Sequence, residues 1–384
     1  MQKPLHSQLP HKSIHLYMQT KETPEAGIRL MNGANAIREG LIEAAKANPD
    51  VIFFAEGVAD PSSVYGTLLG LGNYISKERI IEMPLSENGL VGVAIGTAIT
   101  GKRPVISFQR VEFALLAMEQ IVNNAAKAQY ISNGAHNVPI VLRLIVGRGW
   151  GQGPEHSQSL ENMFALFPGL KVLVPTFPAD AKGMIIAAVE DNNPVIIIEH
   201  RWCHYAESNV PEGYYTSQID EPVLIDQGKD ITIVASSFMI FEAMRAVECL
   251  KHIGCSVDLF DLRVCRPLNV EKISASVEKT GKLITVDLGM KEFGIGAEIV
   301  SQVVTNCFDK FTCAPVRIGL PGHPTPSSRG YLKGHYADAE AIIKAAVKML
   351  NINEKDSERL AEELKNSRKD LPIDVPDPKF KGPF

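Results

Sequence analysis

The sequence predicts an α/β protein of two domains, each a mostly parallel β-sheet flanked by helices. Short apolar runs alternate with longer amphipathic segments along most of the chain, which is typical of a parallel sheet covered on both faces. The alternation lapses once, over 206–229, and then resumes. With 384 residues, of which 45% are hydrophobic, the chain is long enough for two domains of ordinary size.

This lapse divides the chain into five predicted parts. They are an N-terminal arm (1–28), a first domain (29–205), a linker (206–229), a second domain (230–350) and an extended tail (351–384). Proline, glycine and tyrosine interrupt the linker, and the tail is charged and then rich in proline. Neither segment has enough apolar residues to form a core of its own.

Each apolar run of the first domain predicts a buried strand, because it is short and bounded by turn residues. The predicted strands cover 51–55, 103–108, 138–144, 170–175 and 195–199. Helices are predicted over 32–47, 112–128 and 180–190, the first of them capped by Asn32. A further helix is predicted to begin directly after Glu87. The helix over 112–128 has an apolar side made of Phe113, Leu116, Met118, Ile121 and Ala125.

The second domain repeats the alternation of strand and helix. Its predicted strands cover 230–235, 256–261, 282–287 and 314–319. Its predicted helices cover 239–251, 270–280, 297–305 and 337–350, and a short polar helix is predicted in the tail over 357–365.

Composition and charge exclude several classes of function. A net charge of −5 provides no basic surface for nucleic acid, and no apolar run approaches the ~20 residues of a membrane-spanning helix. The six cysteines form no C-x-x-C pair, which favours idle thiols in a reducing compartment. The first residues lack the apolar segment of a signal peptide, so we expect a cytoplasmic protein.

Glu87 is the most informative single residue. It stands between a short strand that ends at Pro84 and a run of small and apolar residues that predicts a buried helix. A carboxylate is costly to bury at the start of an apolar helix unless it has a use. An anion is also favourable at a helix N-terminus, and capping residues are commoner than catalytic acids, so spacing alone favours a capping role.

Two further residues lie where a ligand is expected. Glu56 directly follows the predicted strand 51–55, at the carboxyl edge of the sheet, although a surface carboxylate has the same pattern. His156 ends a glycine-rich loop over 147–156 that lacks the G-x-G-x-x-G spacing of a dinucleotide site. We interpret this loop as a mobile cover over a substrate. A lone histidine is usually structural, but at this position it can contact substrate and change charge near neutral pH.

These motifs together identify a family resemblance. The chain resembles the β subunit of the thiamine-diphosphate-dependent first component of 2-oxoacid dehydrogenase complexes, which include the pyruvate, branched-chain and acetoin enzymes. The resemblance covers roughly residues 30 to 350 and implies a transketolase-type pyrimidine-binding domain followed by a transketolase-type C-terminal domain. It rests on the motifs at 85–89 (Leu-Ser-Glu-Asn-Gly), 156–158 (His-Ser-Gln), 191–194 (Asp-Asn-Asn-Pro), 266–268 (Arg-Pro-Leu) and 294–298 (Gly-Ile-Gly-Ala-Glu).

The resemblance assigns roles to individual residues. Glu87 matches the glutamate that hydrogen-bonds the aminopyrimidine ring of thiamine diphosphate and so activates the cofactor for decarboxylation of a 2-oxo acid. Glu56, Leu85 and Phe113 match contacts to the cofactor, Phe113 by packing on the pyrimidine ring. His156 matches an active-site histidine that donates a proton or contacts a lipoyl group. A structural potassium ion is implied at Ile140, Ala188, Asp191 and Asn193.

An absent motif implies a partner. The family holds Mg²⁺ and the cofactor diphosphate with a Gly-Asp-Gly motif followed by Asn-Asn, and this sequence contains no Gly-Asp-Gly. The resemblance therefore implies an α subunit that carries this motif, an α2β2 heterotetramer with a large apolar interface, and a lipoyl acyltransferase as acceptor.

Departures from the family pattern leave alternatives open. The segment over 109–112 is more charged than usual, and Arg110 can either face an anionic substrate or pair with Glu112. One alternative is therefore the C-terminal half of a split transketolase, with Arg110, Arg148 and Arg201 as candidates for binding a sugar phosphate. A second is a non-catalytic scaffold subunit, against which the presence of Glu87, Phe113 and His156 argues.

Overall fold

Three β-sheets organise the chain, and a computed structural model describes residues 27–148 and 151–367. The predicted arm up to residue 26 and the last stretch of the tail, from 368, lie outside the described residues. The strands are β1 (Ile28–Asn32), β2 (Val51–Ala55), β3 (Ile80–Glu82), β4 (Arg103–Phe108), β5 (Val141–Val146), β6 (Lys171–Leu173), β7 (Val195–His200), β8 (Glu207–Pro211), β9 (Val223–Asp226), β10 (Ile231–Ala235), β11 (Val257–Asp261), β12 (Val264–Arg266), β13 (Leu283–Met290) and β14 (Val316–Leu320).

Helices cover both faces of the two large sheets. They are α1 (Gly33–Ala47), α2 (Glu87–Ile99), α3 (Ala128–Ile131), α4 (Gly153–His156), α5 (Glu161–Ala165), α6 (Pro178–Glu190), α7 (Met239–Lys251), α8 (Glu271–Thr280), α9 (Ile295–Cys307), α10 (Ala339–Leu350) and α11 (Glu354–Ser367). The predicted cap of α1 is confirmed, because the Asn32 side chain accepts a hydrogen bond from the Asn35 amide at 2.9 Å. Within the described residues, no helix is long and apolar enough to cross a membrane.

The first large sheet has seven strands in the order β12-β6-β7-β5-β4-β2-β3. All neighbours are parallel except β12, which runs antiparallel to β6 at the edge. Its central strands are apolar runs buried on both faces, as the sequence predicts. The parallel order places the carboxyl ends of β2, β4, β5 and β7 at one edge.

The second large sheet has five strands in the order β14-β13-β10-β11-β9, again parallel except for the edge strand β9. The two large sheets share one continuous apolar cluster, which includes Ile106 and Ile198 from the first and Ile233 and Val286 from the second. The predicted fold class of two parallel-rich α/β units is therefore confirmed.

Two strands lie within the stretch predicted as a linker. β8 pairs antiparallel with β1, and β9 pairs antiparallel with β11 in the second sheet. Another strand, β12, was not predicted, and it carries the chain from the second sheet back to the edge of the first. Short antiparallel edge strands have only one neighbour and few apolar residues, so they leave a weak pattern in the sequence.

The helix predicted over 112–128 is irregular. The structure has a 3₁₀-helix over Val111–Ala117, a π-helix over Glu119–Ala125 and then α3. Ile121 and Ala125 are buried as predicted, but Leu116 is 65% exposed. The periodicity of 3.6 residues assumed for the prediction does not hold in a 3₁₀-helix, where side chains recur every three residues. The tail helix α11 packs against α7, and its Leu360 is fully buried.

Candidate active site

Charged and polar residues gather at the carboxyl edge of the seven-stranded sheet. Glu56 follows β2, Arg110 follows β4, Arg148 follows β5 and Arg201 follows β7. All four strands are parallel, so their carboxyl ends bring these residues to the same side of the sheet. The edge thus combines side chains that lie far apart in the sequence.

Glu87 is the first residue of α2 and is 9% exposed. The cap position is Ser86, whose side chain makes no capping hydrogen bond. Among the described residues, the Glu87 carboxylate makes no hydrogen bond to the helix either. Side-chain capping, which spacing alone favoured, is therefore not what the structure shows, although the N-terminal end of α2 remains a favourable place for an anion.

Glu56 lies beside Glu87 and is 5% exposed. Burial raises the pKa of Glu56, and the carboxylates of Glu87 and Glu82 raise it further, against partial opposition from the Ser86 amide. The Glu56 Oε1 atom is buried without a hydrogen-bond partner among the described residues. A buried polar atom of this kind is costly in the free protein and is suited to a ligand that donates a hydrogen bond.

His156, Glu112 and Phe113 form a second cluster. His156 Nδ1 lies 2.5 Å from Glu112 Oε1, and the Phe113 ring meets the imidazole edge-on with 5.8 Å between centroids. The Glu112 side chain is 4% exposed, whereas that of His156 is 40% exposed. Burial raises the pKa of Glu112, and the hydrogen bond from His156 opposes that rise. The pair therefore presents an accessible imidazole held by a buried carboxylate.

The loop that carries His156 is folded tightly on itself. A Cβ on Gly147 would overlap the carbonyl oxygen of His156 and lie 3.0 Å from Gln152 Oε1, so only glycine fits there. The Gly151 amide donates a hydrogen bond to the carbonyl of Ser327 at 3.0 Å. This contact ties the loop to a segment that follows the last strand of the second sheet.

Arg110 does not pair with Glu112, which resolves the alternative left open by the sequence. Its guanidinium donates to the Tyr65 hydroxyl, to the Gln109 carbonyl at 3.1 Å and to Gln152 Oε1 at 2.9 Å. Glu112 is instead the partner of His156. The hydrogen-bond acceptors of Arg110 are thus all neutral, and the Glu112 carboxylate interacts with its charge only through space.

Sequence reasoning missed three residues of this edge. Glu112 was considered only as a partner of Arg110, and Tyr65 and Gln152 were not singled out. A glutamate before an aromatic residue in a predicted helix resembles any surface carboxylate. Only the fold brings Glu112 to His156, which is 44 residues away in the sequence.

Leu85 and one side of α2 are exposed. Leu85 is 83% exposed, and Val93 and Ile99 of α2 are 53% and 55% exposed. The helix predicted as buried therefore packs only its other side, through Leu90, Val91, Ala94, Ile95 and Ala98. An apolar helix side left open at the edge of a site indicates a surface that another molecule covers.

The residues implied in potassium binding lie at the opposite, amino edge of the same sheet. The Ile140 carbonyl accepts a hydrogen bond from the Val195 amide at 2.9 Å, and Ala188 is buried in α6. The Asp191 carboxylate pairs with the Lys171 ammonium and accepts from the Asn193 amide at 2.8 Å. The described residues include no group of three or more His, Cys, Asp or Glu side chains able to hold a metal ion.

Two family profiles match the chain. The transketolase pyrimidine-binding domain matches residues 30–203, and the transketolase C-terminal domain matches residues 221–342. The solved structure of a split-gene transketolase, described as an inactive beta4 tetramer, covers 84% of this chain and 99% of its own, with a TM-score of 0.66 and 22% identity. That similarity shows the fold alone.

Similar sequences carry the functional information. A pyruvate dehydrogenase E1 component subunit beta from Gracilaria tenuistipitata is 37% identical over 311 residues, 81% of this chain and 96% of the relative. The acetoin:2,6-dichlorophenolindophenol oxidoreductase subunit beta of Cupriavidus necator is 34% identical over 82% of this chain and 95% of its own. The mitochondrial pyruvate dehydrogenase E1 subunit beta of Bos taurus is 34% identical over 83% and 90%. The chain belongs to the family of β subunits of thiamine-diphosphate-dependent 2-oxoacid dehydrogenases.

Proposed function

We propose that this chain supplies the pyrimidine-binding half of a shared active site, in which Glu87 activates the cofactor. The observation that carries the proposal is the pair of buried carboxylates, Glu56 and Glu87, at the carboxyl edge of the first sheet. Two adjacent acids without ion-pair partners among the described residues are costly unless a bound group uses them. An aminopyrimidine ring, with ring nitrogens and an amino group, has the donors and acceptors that such acids can use.

Each residue has a part in holding the pyrimidine ring. Glu87 shares a proton with a ring nitrogen, Phe113 packs on the ring and Leu85 provides an apolar contact. Glu56 offers its unpartnered buried oxygen as a hydrogen-bond acceptor. Thiamine diphosphate, when bound, supplies the electron sink for the electrons left by departing carbon dioxide.

His156 acts on the substrate side. An ionised Glu112 can only accept a hydrogen bond, so it fixes the imidazole proton on Nδ1 and leaves Nε2 to face the site. From Nε2, the imidazolium form of His156 donates a proton to the 2-oxo oxygen, or the imidazole contacts an incoming lipoyl group. Glu112 is thus a positioning residue, and the phenyl edge of Phe113 limits rotation of the imidazole.

The partner we propose is an α subunit with a Gly-Asp-Gly motif, which holds Mg²⁺ and the cofactor diphosphate in an α2β2 heterotetramer. Support comes from the exposed apolar residues Leu85, Val93 and Leu116 near the proposed site. A lipoyl acyltransferase is the proposed acceptor of the acyl group. Potassium binding at Ile140, Ala188, Asp191 and Asn193 and a cytoplasmic location also remain predictions.

The test is turnover of a 2-oxo acid by the chain assembled with its α partner. Glu87→Gln keeps the size of the side chain but removes the acid, and we expect turnover to fall about 100-fold or more. The matched control is Glu340→Gln on the exposed side of α10, which should leave turnover unchanged. Unchanged turnover in Glu87→Gln would exclude the proposed role. Ketol transfer between sugars without decarboxylation would instead favour the split-transketolase alternative.

A further inference from the structure

We propose that Arg110 and Arg201 form a subsite for a second anionic group of the substrate, so that the 2-oxo acid carries a distal carboxylate or phosphate. The inference rests on the proposed function, because it names the substrate class for that site. A guanidinium presents a planar fork of donors that matches both carboxylate and phosphate oxygens.

The two arginines converge on one aromatic ring. The Arg110 Cζ atom lies 5.0 Å and the Arg201 Cζ atom 4.1 Å from the centroid of Tyr65. Arg110 also hydrogen-bonds the Tyr65 hydroxyl, and Arg201 lies 5.5 Å from the Tyr205 ring. Cation–π contacts of this kind hold guanidinium groups in place without neutralising them.

The backbone around Tyr65 is unusual. Ser63, Val64 and Tyr65 have φ values of 37°, 48° and 58°, three consecutive residues in the left-handed region. None is glycine, and the β-branched Val64 is especially disfavoured there. Strain of this kind persists where the surroundings enforce it, and it concentrates at ligand sites. The loop thereby holds the Tyr65 ring against the two arginines.

In the part of the chain that the structure describes, the Glu112 carboxylate interacts with the charge of Arg110 only through space and is itself hydrogen-bonded to His156. Arg110 is only 7% exposed, yet it forms no salt bridge there, and its acceptors are a hydroxyl, a carbonyl and an amide oxygen. Two other buried arginines are paired, Arg143 with Glu199 and Arg263 with Asp180. A buried cation without a direct ion pair is costly, and an anionic ligand that hydrogen-bonds to it reduces that cost.

Arg201 adds a second positive charge to the same place. Burial lowers the pKa of Arg201, Tyr205 and Tyr65 oppose that shift, and the nearby charge of Arg110 adds a smaller lowering. Two guanidinium groups that repel each other are stabilised together by one anion between them. A distal carboxylate or phosphate is such an anion.

The subsite adjoins the residues proposed for catalysis. A Cβ on Gly147 would lie 3.2 Å from Arg110 Nε and would overlap the carbonyl of His156, so both groups touch the start of the same loop. Arg110 also donates to Gln152 of that loop and is two residues from Glu112. An anion on Arg110 can therefore belong to the molecule that reaches His156.

The 2-oxo carboxylate itself is a poor occupant of this subsite. That group loses its charge when it leaves as carbon dioxide. Binding it to two cations would stabilise the ground state more than the transition state and so slow the reaction. A distal anion keeps its charge throughout, and its binding energy is retained at the transition state.

The experiment compares three substrates of matched length in the assembled enzyme: 2-oxopentanoate, 2-oxoglutarate and 4-phosphono-2-oxobutanoate. We expect kcat/KM for 2-oxoglutarate or for 4-phosphono-2-oxobutanoate to exceed that for 2-oxopentanoate by about 100-fold. The better of these two substrates shows whether the subsite prefers a carboxylate or a phosphate. Arg110→Gln and Arg201→Gln should each remove most of that preference, and Arg110→Lys should keep part of it. The control is Arg359→Gln, an exposed arginine of α11.

The outcomes separate the two proposals. Equal or better turnover of 2-oxopentanoate would overturn the anionic subsite while leaving the proposed function intact. If no 2-oxo acid is turned over, the proposed function fails, and the subsite is then tested by thermal shift of the full-length chain with glutarate, propylphosphonate or the uncharged pentanamide. Stabilisation by glutarate or propylphosphonate that is lost in Arg110→Gln supports the subsite. Equal shifts of the melting temperature with all three compounds contradict it.

Discussion

Two buried clusters of charge lie on the same seven-stranded sheet and differ in how they are balanced. In the first, Arg143 of β5 donates to both carboxylate oxygens of Glu199 on β7, at 2.6 and 2.9 Å, and to Ser107 of β4 at 2.9 Å. His204 Nε2 lies 3.2 Å from the same carboxylate. In this cluster, both oxygens of the buried carboxylate have a partner.

The second cluster, at the carboxyl edge, is less deeply buried and is not balanced. Glu56 and Glu112 each have a buried oxygen without a hydrogen-bond partner among the described residues, and Arg110 has no ion pair there. Burial raises the pKa of both acids. Burial also acts to raise the pKa of Glu199, but Arg143 and His204 outweigh it and hold the value at about 2. The balance of partners separates this structural cluster from the cluster that we propose as functional.

The largest effect is expected from breaking the balanced cluster. Arg143→Met leaves the Glu199 carboxylate buried without its main partner, and we expect a loss of about 3–5 kcal/mol of unfolding free energy. Urea denaturation of the full-length chain measures it. The double variant Arg143→Met, Glu199→Leu should recover much of the loss, because neither charge remains buried. A loss below about 1 kcal/mol would show that this pair is not the structural one.

Acid should break the same cluster in the wild type. The pKa of Glu199 is held at about 2 in the folded chain against an ordinary value of 4.5. Its contribution, about 3 kcal/mol, is fully present above the ordinary value and is lost as pH falls from about 4.5 to 2. Unfolding free energies between pH 3 and 6 should therefore fall less steeply in the double variant than in the wild type. Parallel slopes would contradict this assignment.

A smaller effect, on activity alone, is expected at the unbalanced cluster. Glu112→Gln keeps a hydrogen-bond acceptor near His156 but removes the charge, and we expect kcat to fall about 10-fold, compared with about 100-fold for His156→Asn. Because the pKa of Glu112 is raised, wild-type activity should decline as pH falls through that value, and the variant should lose this decline. A merely structural role would leave the pH profile unchanged.

The smallest expected effect is a gain in unfolding free energy, whereas Arg143→Met is expected to lower it. Glu56→Gln removes a buried acid whose raised pKa makes its ionised form unfavourable in the folded chain. That penalty is absent below the ordinary value of 4.5 and is fully present above the folded pKa. The variant should therefore gain about 1 kcal/mol at pH 8 and nothing near pH 4 in thermal melts without cofactor. A loss of stability at pH 8 would place Glu56 with the balanced cluster.

The fold was predictable from the sequence wherever a local pattern carries it. Mainly apolar runs such as 51–55 and 103–108 predict strands because a parallel strand covered on both faces carries mostly apolar residues. The bounds of α7 agree with the prediction because its amphipathic pattern is regular from end to end. The irregular segment from 111 to 125 was mispredicted because its backbone departs from the helical period that the pattern assumes.

By itself, the sequence determined the order of the central strands and the main helices, the motif around Glu87 and the absence of a Gly-Asp-Gly motif. Tertiary structure decided which distant residues meet: Glu112 with His156, Arg110 and Arg201 with Tyr65, and β12 with the first sheet. The physical reason is that sequence patterns and tertiary contacts act over different separations along the chain. Periodicity records contacts within a few residues, whereas the carboxyl edge of a parallel sheet is assembled from strands that packing alone brings together.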